Sequence, residues 1–153
     1  MTEEPSIQTP YQVDKPHPDL KSLDPLVGTW TLSGETQGTV TYTWMDGGFF
    51  LLQHVDFDHG DHRIKGLEVI GHLKSFGEEP SEDIKSRFYS STGDTLDYIY
   101  ELKDNTLMIW GGERGSPAYY QGTFSPHGKS CTGAWVFPGG GGYTSIMTRV
   151  NSA

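Results

Sequence analysis

One carboxylate in this sequence stands where a proton-transfer group would have to stand. Glu68 lies between Leu67 and Val69, and a carboxyl group desolvated among apolar neighbours keeps its proton toward neutral pH. Such a group could act as general acid or base in an isomerisation, hydration or elimination that needs no cofactor, with Tyr98 or Tyr100 polarising a substrate oxygen. The competing readings are a structural ion pair with Arg87, or a position on the outside of the fold. A second set, Tyr98, Tyr100, Trp110, Tyr119, Trp135 and Tyr143, is bulky yet mostly polar-tipped. Gathered on one wall, these residues would cage a flat or greasy ligand and orient it through their hydroxyls. Packed against one another they would instead fill a core.

His54, Asp56, Asp58, His59, Asp61 and His62 form the densest cluster of metal-donor side chains. Strand alternation puts His54, Asp56 and Asp58 on one face and His62 on the other, so a solvated hairpin tip is the better reading and no metal is expected. The run Pro138-Gly139-Gly140-Gly141-Gly142 lacks the Lys-Ser/Thr and the following helix of a phosphate loop. It reads as a flexible hairpin. No Gly-x-Ser-x-Gly occurs, so a nucleophile elbow is not expected either.

The elements that must position these residues are strands. Segments rich in Thr, Val, Tyr, Phe and Trp are punctuated by Gly, Asp and Asn, which predicts strands near 28–34, 38–45, 48–57, 62–74, 84–91, 95–102, 106–111, 118–125, 129–137 and 143–150. Residues 19–26 read as one short helical turn, and residues 1–22 as a flexible arm with Pro5, Pro10, Pro16 and Pro18. Residues 23–151 then form a single all-β domain, an up-and-down antiparallel barrel of about ten strands. Successive loops alternate between its ends. The loops at 34–37, 58–61, 91–94, 112–117 and 138–142 should ring an open rim, opposite tighter turns such as Asp46-Gly47, Asp104-Asn105 and His127-Gly128.

Gly28-Thr29-Trp30 at the start of the first strand, with Arg149 in the last, resembles the signature of the calycin (lipocalin-like) barrels. The chain as a whole is similar to an uncharacterised lipocalin-like family of bacterial proteins. The resemblance implies that Trp30 plugs the closed end, that Arg149 packs across its indole within about 6 Å, and that the barrel encloses a ligand cavity. A haem-binding relative of this fold uses an axial His in its last strands; residues 143–150 contain none, so no haem is expected, and no other cofactor.

With Arg149 taken as inward, hairpin register can be propagated from strand to strand. It turns Met147, Ser145 and Tyr143 inward, then Trp135, and, through a three-residue loop at 126–128, Tyr119. From Tyr119 it passes to Trp110 and, through a three-residue loop at 103–105, to Tyr98 and Tyr100. On the other wall the hairpin at His59-Gly60 turns Gln53 and Glu68 inward. Whether Arg87 or Phe88 points inward stays open. Phe50, Leu52, Leu67 and Val69 fall outside as an apolar stripe that would allow a homodimer.

Composition narrows the partners. Lys+Arg 11 against Asp+Glu 20 gives a net charge of −9, without the basic footprint that nucleic acid or an anionic membrane needs. Cys131 is the sole cysteine, so no internal disulfide forms, and a small buried hydrophobe is its better reading. The first residues carry neither a basic n-region nor an apolar h-region, from which a cytoplasmic location is expected. The expected function is an intracellular barrel binding a small hydrophobic or aromatic molecule, with a cofactor-independent enzyme using Glu68 as the alternative.

Overall fold

A computed structural model describes residues 15–150. Ten strands close into an antiparallel barrel in up-and-down order: β1 (Gly28–Gly34), β2 (Thr36–Trp44), β3 (Phe50–His59), β4 (His62–Gly71), β5 (Ile84–Ser90), β6 (Thr95–Lys103), β7 (Thr106–Gly111), β8 (Tyr119–Phe124), β9 (Ser130–Val136) and β10 (Tyr143–Arg149). Each strand pairs with its neighbours in sequence, and β1 closes the barrel on β10 with Trp30 opposite Arg149. The arm expected over residues 1–22 lies, for residues 1–14, outside the described residues. No helix among the described residues is long and apolar enough to cross a membrane.

One end of the barrel is plugged by a 3-10 helix, Pro18–Leu26. With three residues per turn, side chains at i and i+3 eclipse one another, so Leu20, Leu23 and Leu26 fall in one row. All three are buried in the core with Trp30, Tyr42, Leu51, Ile70, Phe124 and Cys131. Burying each leucine stabilises the plug by roughly 1.5–3 kcal/mol.

A helix leaves its last carbonyls without intrahelical donors, and here the first and last strands supply them. The Trp30 indole Nε1 donates to the Leu26 carbonyl at 2.8 Å. Arg149 donates to the carbonyls of Pro25 at 2.7 Å and Val27 at 2.6 Å, and to Gly128 at 3.2 Å. Its guanidinium carbon lies 4.1 Å from the centre of the Trp30 ring, as expected. Gly28 adopts φ 128°, and a Cβ there would sit 2.5 Å from Arg149 Nη1. The spacing Gly-x-Trp therefore has a steric cause: the glycine leaves room for the arginine that the tryptophan faces.

The register corrects two inferred loops. Between β8 and β9, Phe124 pairs with Cys131, and Ser125 Oγ accepts from the backbone of both Lys129 and Ser130. That closes a four-residue loop at 126–129 rather than three residues. Between β6 and β7, Lys103 pairs with Thr106 around Asp104 and Asn105, both at positive φ (54° and 63°). That is a two-residue type I′ turn. Each change of one residue reverses the faces of everything between the two loops. Tyr120, Leu107 and Ile109 consequently face inward, whereas Tyr119 and Trp110 face outward.

Candidate functional site

Above the plugged end the barrel encloses a cavity of about 310 Å³. Val40, Val55, Phe57, Ile64, Phe88 and Ile109 are among its apolar lining, and polar side chains border it both around Glu68 and at Thr36, Ser90, Thr92, Asp94 and Ser145. Gln53 and Glu68 are directly opposite each other on β3 and β4. Phe88 is the residue of β5 that pairs with Glu68, so Phe88 turns in and Arg87 turns out. Arg87 holds Asp97 on the outer surface, at 2.7 and 3.1 Å, and the proposed ion pair between Glu68 and Arg87 does not form.

Glu68 is instead satisfied by hydroxyls. Ser86 Oγ donates to its Oε2 at 2.5 Å and Tyr100 Oη to its Oε1 at 2.9 Å. Among the described residues no ion pair reaches it. Burial pushes its pKa up to about 7, against the pull of the two hydrogen bonds, which lower it. Desolvation wins because two neutral donors replace only part of a carboxylate's hydration. A second pair lies beside it: Gln53 Nε2 donates to Tyr42 Oη at 2.6 Å. Burial, and then the nearby Glu68 charge, hold the Tyr42 and Tyr100 phenols far above their ordinary range. Both stay protonated at any physiological pH and act as hydrogen-bonding groups, not as bases.

The upper wall is aromatic. Tyr98 and Tyr120 flank Trp135 with ring centres at 5.7 and 5.6 Å, and Phe137 stacks on Trp135 at 6.0 Å. Tyr143 lies between Phe137, at 6.4 Å, and His59, at 4.4 Å. Nδ1 of His59 is buried with no hydrogen-bond partner among the described residues. Tyr120 occupies a bay that two paired glycines leave open. A Cβ on Gly122 or Gly133 would come within 2.5–2.6 Å of its hydroxyl. That bay brings the Tyr120 hydroxyl to 3.7 Å from the buried Cys131 thiol.

Of the expected lining residues, Gln53, Glu68, Tyr98, Tyr100, Trp135 and Tyr143 border the cavity. Trp110 and Tyr119 do not. They pair with each other on the outer face, where Arg114 covers Trp110 at 4.9 Å and pairs with Asp83 and Glu101. Tyr42, Ser86 and Tyr120 were missed. Tyr120 was lost to the miscounted loop at 126–129, and Tyr42 and Ser86 because no anchor fixed the register of β2 or β5. In the 54–62 cluster, Asp56 and Asp58 gather around Arg63 outside the barrel, at 2.8 and 3.7 Å. No protein-family model matches the chain, and no curated protein matches it.

Proposed function

We propose that this protein is a calycin-like binding module that holds a small hydrophobic or aromatic molecule inside its barrel. The observation that carries this reading is the cavity itself: about 310 Å³ of space remains where the core of a small barrel is usually filled. That volume lies at the lower end of the range for ligand sites, about 300–1,000 Å³, which suits a ligand of one or two rings. Trp135, Tyr98 and Phe88 offer ring faces to a flat molecule. Gln53, Tyr42, Tyr100 and Glu68 offer hydrogen bonds at its inner end. The Trp30–Arg149 contact supports the calycin assignment. Native mass spectrometry of freshly purified protein tests the reading, with a co-purified small molecule as the expected result. If none is seen, and a panel of aromatic and fatty compounds leaves the melting temperature unchanged, the binding reading falls.

The neutral-range pKa of Glu68 favours a second reading, a cofactor-independent isomerase, hydratase or lyase using the same cavity. Glu68 would take or give the proton, and the Tyr100 hydroxyl, already directed at it, would share the charge that develops. Glu68→Gln separates the two readings, because it keeps the shape and removes the titrating group. Turnover of an identified ligand that disappears in the variant while its binding persists selects the enzyme. Binding without turnover in either protein selects the module.

A further inference from the structure

At the plugged end, away from the cavity, three donor atoms converge on one point. His17 caps the N-terminus of the 3-10 helix, Asp19 lies in its first turn, and His72 follows directly after β4. Asp19 Oδ1 is 3.0 Å from His17 Nδ1 and 2.8 Å from His72 Nε2. The ligand atoms of all three residues lie within 4.8 Å of one another, and the two imidazole rings are 5.1 Å apart.

The hydrogen bonds around this cluster fix the tautomers. His72 Nδ1 lies 2.6 Å from the Ser81 carbonyl, which can only accept, so Nδ1 carries the proton. Nε2 then presents its lone pair to a carboxylate oxygen, and only a proton or a cation can occupy the line between two acceptors. His17 differs: its Nδ1 lone pair accepts from the Asp19 backbone N–H at 3.0 Å, the bond that caps the helix, so an ion would have to displace that N–H at Nδ1. An imidazole whose distal N–H is held by a backbone carbonyl while the other nitrogen is bare is the arrangement that orients a metal-bound histidine. The two separations from Asp19 Oδ1, 3.0 and 2.8 Å, would have to widen by a few tenths of an ångström to reach the edges, about 3.3–3.4 Å, of a tetrahedron drawn around Zn²⁺ at about 2.0–2.1 Å.

We propose that His17, Asp19 and His72 bind a divalent transition-metal ion, with Zn²⁺ as its best-fitting representative. Two imidazoles and a carboxylate suit Zn²⁺ better than the hard, all-oxygen cations. Three protein ligands leave a fourth position to water, and His17, 60% exposed, leaves it open to solvent. His72, at 8%, is the fixed ligand. Because His17 and Asp19 belong to the helix and His72 to the barrel wall, the ion would tie the plug to β4.

The test uses the full chain, stripped with a chelator and titrated with Zn²⁺ by calorimetry. The expected result is one equivalent bound at about micromolar Kd or tighter. The melting temperature should rise by roughly 5–10 °C with the metal in hundredfold excess over that Kd. His17→Ala and Asp19→Asn, both at solvent-accessible positions, should each weaken binding by at least about tenfold. His54→Ala, from the histidines on the hairpin, should leave it unchanged. Co²⁺ should give an intense visible band in the wild type that His17→Ala loses. Absence of saturable binding, a loss smaller than tenfold in either ligand variant, or a loss in His54→Ala overturns the proposal.

Discussion

Tyr100 Oη donates to Glu68 Oε1 at 2.9 Å, reaching from β6 to β4 past the intervening strand. Together with Ser86 it gives the carboxyl group two donors and no cation. The resulting proton affinity has a measurable consequence for stability. Native Glu68 holds its proton to about pH 7, whereas the ordinary value is 4.5. Between those limits the native state binds more protons than the unfolded chain, so stability falls as pH rises from about 4.5 to about 7, and then levels off. The full penalty above that window is on the order of 3 kcal/mol. Glu68→Gln should flatten the slope and stabilise the protein above pH 7, measured by urea denaturation across pH 4–9. An unchanged slope in the variant would place the titration elsewhere.

The corrected faces make the tryptophans distinguishable. Trp135 borders the cavity, whereas Trp110 lies outside beneath Arg114. An aromatic ligand should therefore quench or shift the fluorescence of wild type and Trp110→Phe alike. Trp135→Phe should lose most of that response. A response that disappears with Trp110 would mean that the ligand sits on the outer surface.

Arg149→Ala should remove three hydrogen bonds to backbone carbonyls and the face contact on Trp30 in one step. We expect a loss of about 3 kcal/mol in urea denaturation. Arg149→Lys keeps the charge but cannot span three carbonyls, and should recover less than half of that. If lysine restores full stability, charge and not the planar fork holds the closed end together.

The glycine bay predicts two different failures. The three atoms nearest a Cβ at Gly122 all belong to the outer end of the Tyr120 side chain, which can shift, so Gly122→Ala should fold and narrow the cavity. At Gly133 the Cβ also meets backbone, with the Cα of Gly122 at 2.6 Å, so Gly133→Ala should be the more destabilised, by roughly 1–3 kcal/mol. Melting curves rank the two variants, and ligand affinity reads the lost volume in Gly122→Ala.

Much of this architecture is legible in the residues themselves. Alternation and turn chemistry place all ten strands to within a few residues, because Gly, Asp and Asn punctuate them clearly. The faces of β3 and β4 follow from the hairpin at His59-Gly60: pairing Asp58 with Asp61 there misses the observed register, Asp58 opposite Arg63, by two residues and so leaves the parity intact. Glu68 and Gln53 are consequently found inside by counting alone. Trp110 and Tyr119 are misplaced because parity depends on loop length, and loop length depends on local bonds. Ser125 captures two N–H groups and lengthens one turn. Asp104 and Asn105 both accept left-handed φ and shorten another. The second signal is available, since an Asp-Asn pair between strands suits a two-residue type I′ turn. The two miscounts cancel beyond β7, which is why Tyr98 and Tyr100 come out on the correct side.

The seam between β1 and β10 differs from every other junction in the order in which it can form. Nine pairings join strands adjacent in sequence and can assemble as local hairpins, with little chain entropy to overcome. The tenth must bring Trp30 to Arg149 across nearly the whole described chain. This seam therefore pairs residues of far greater sequence separation than any hairpin does, and the arginine that completes the plug is also the residue that completes the circle. Kinetically, substitutions at Arg149 should divide between the folding and unfolding rates according to how far the seam has formed in the transition state.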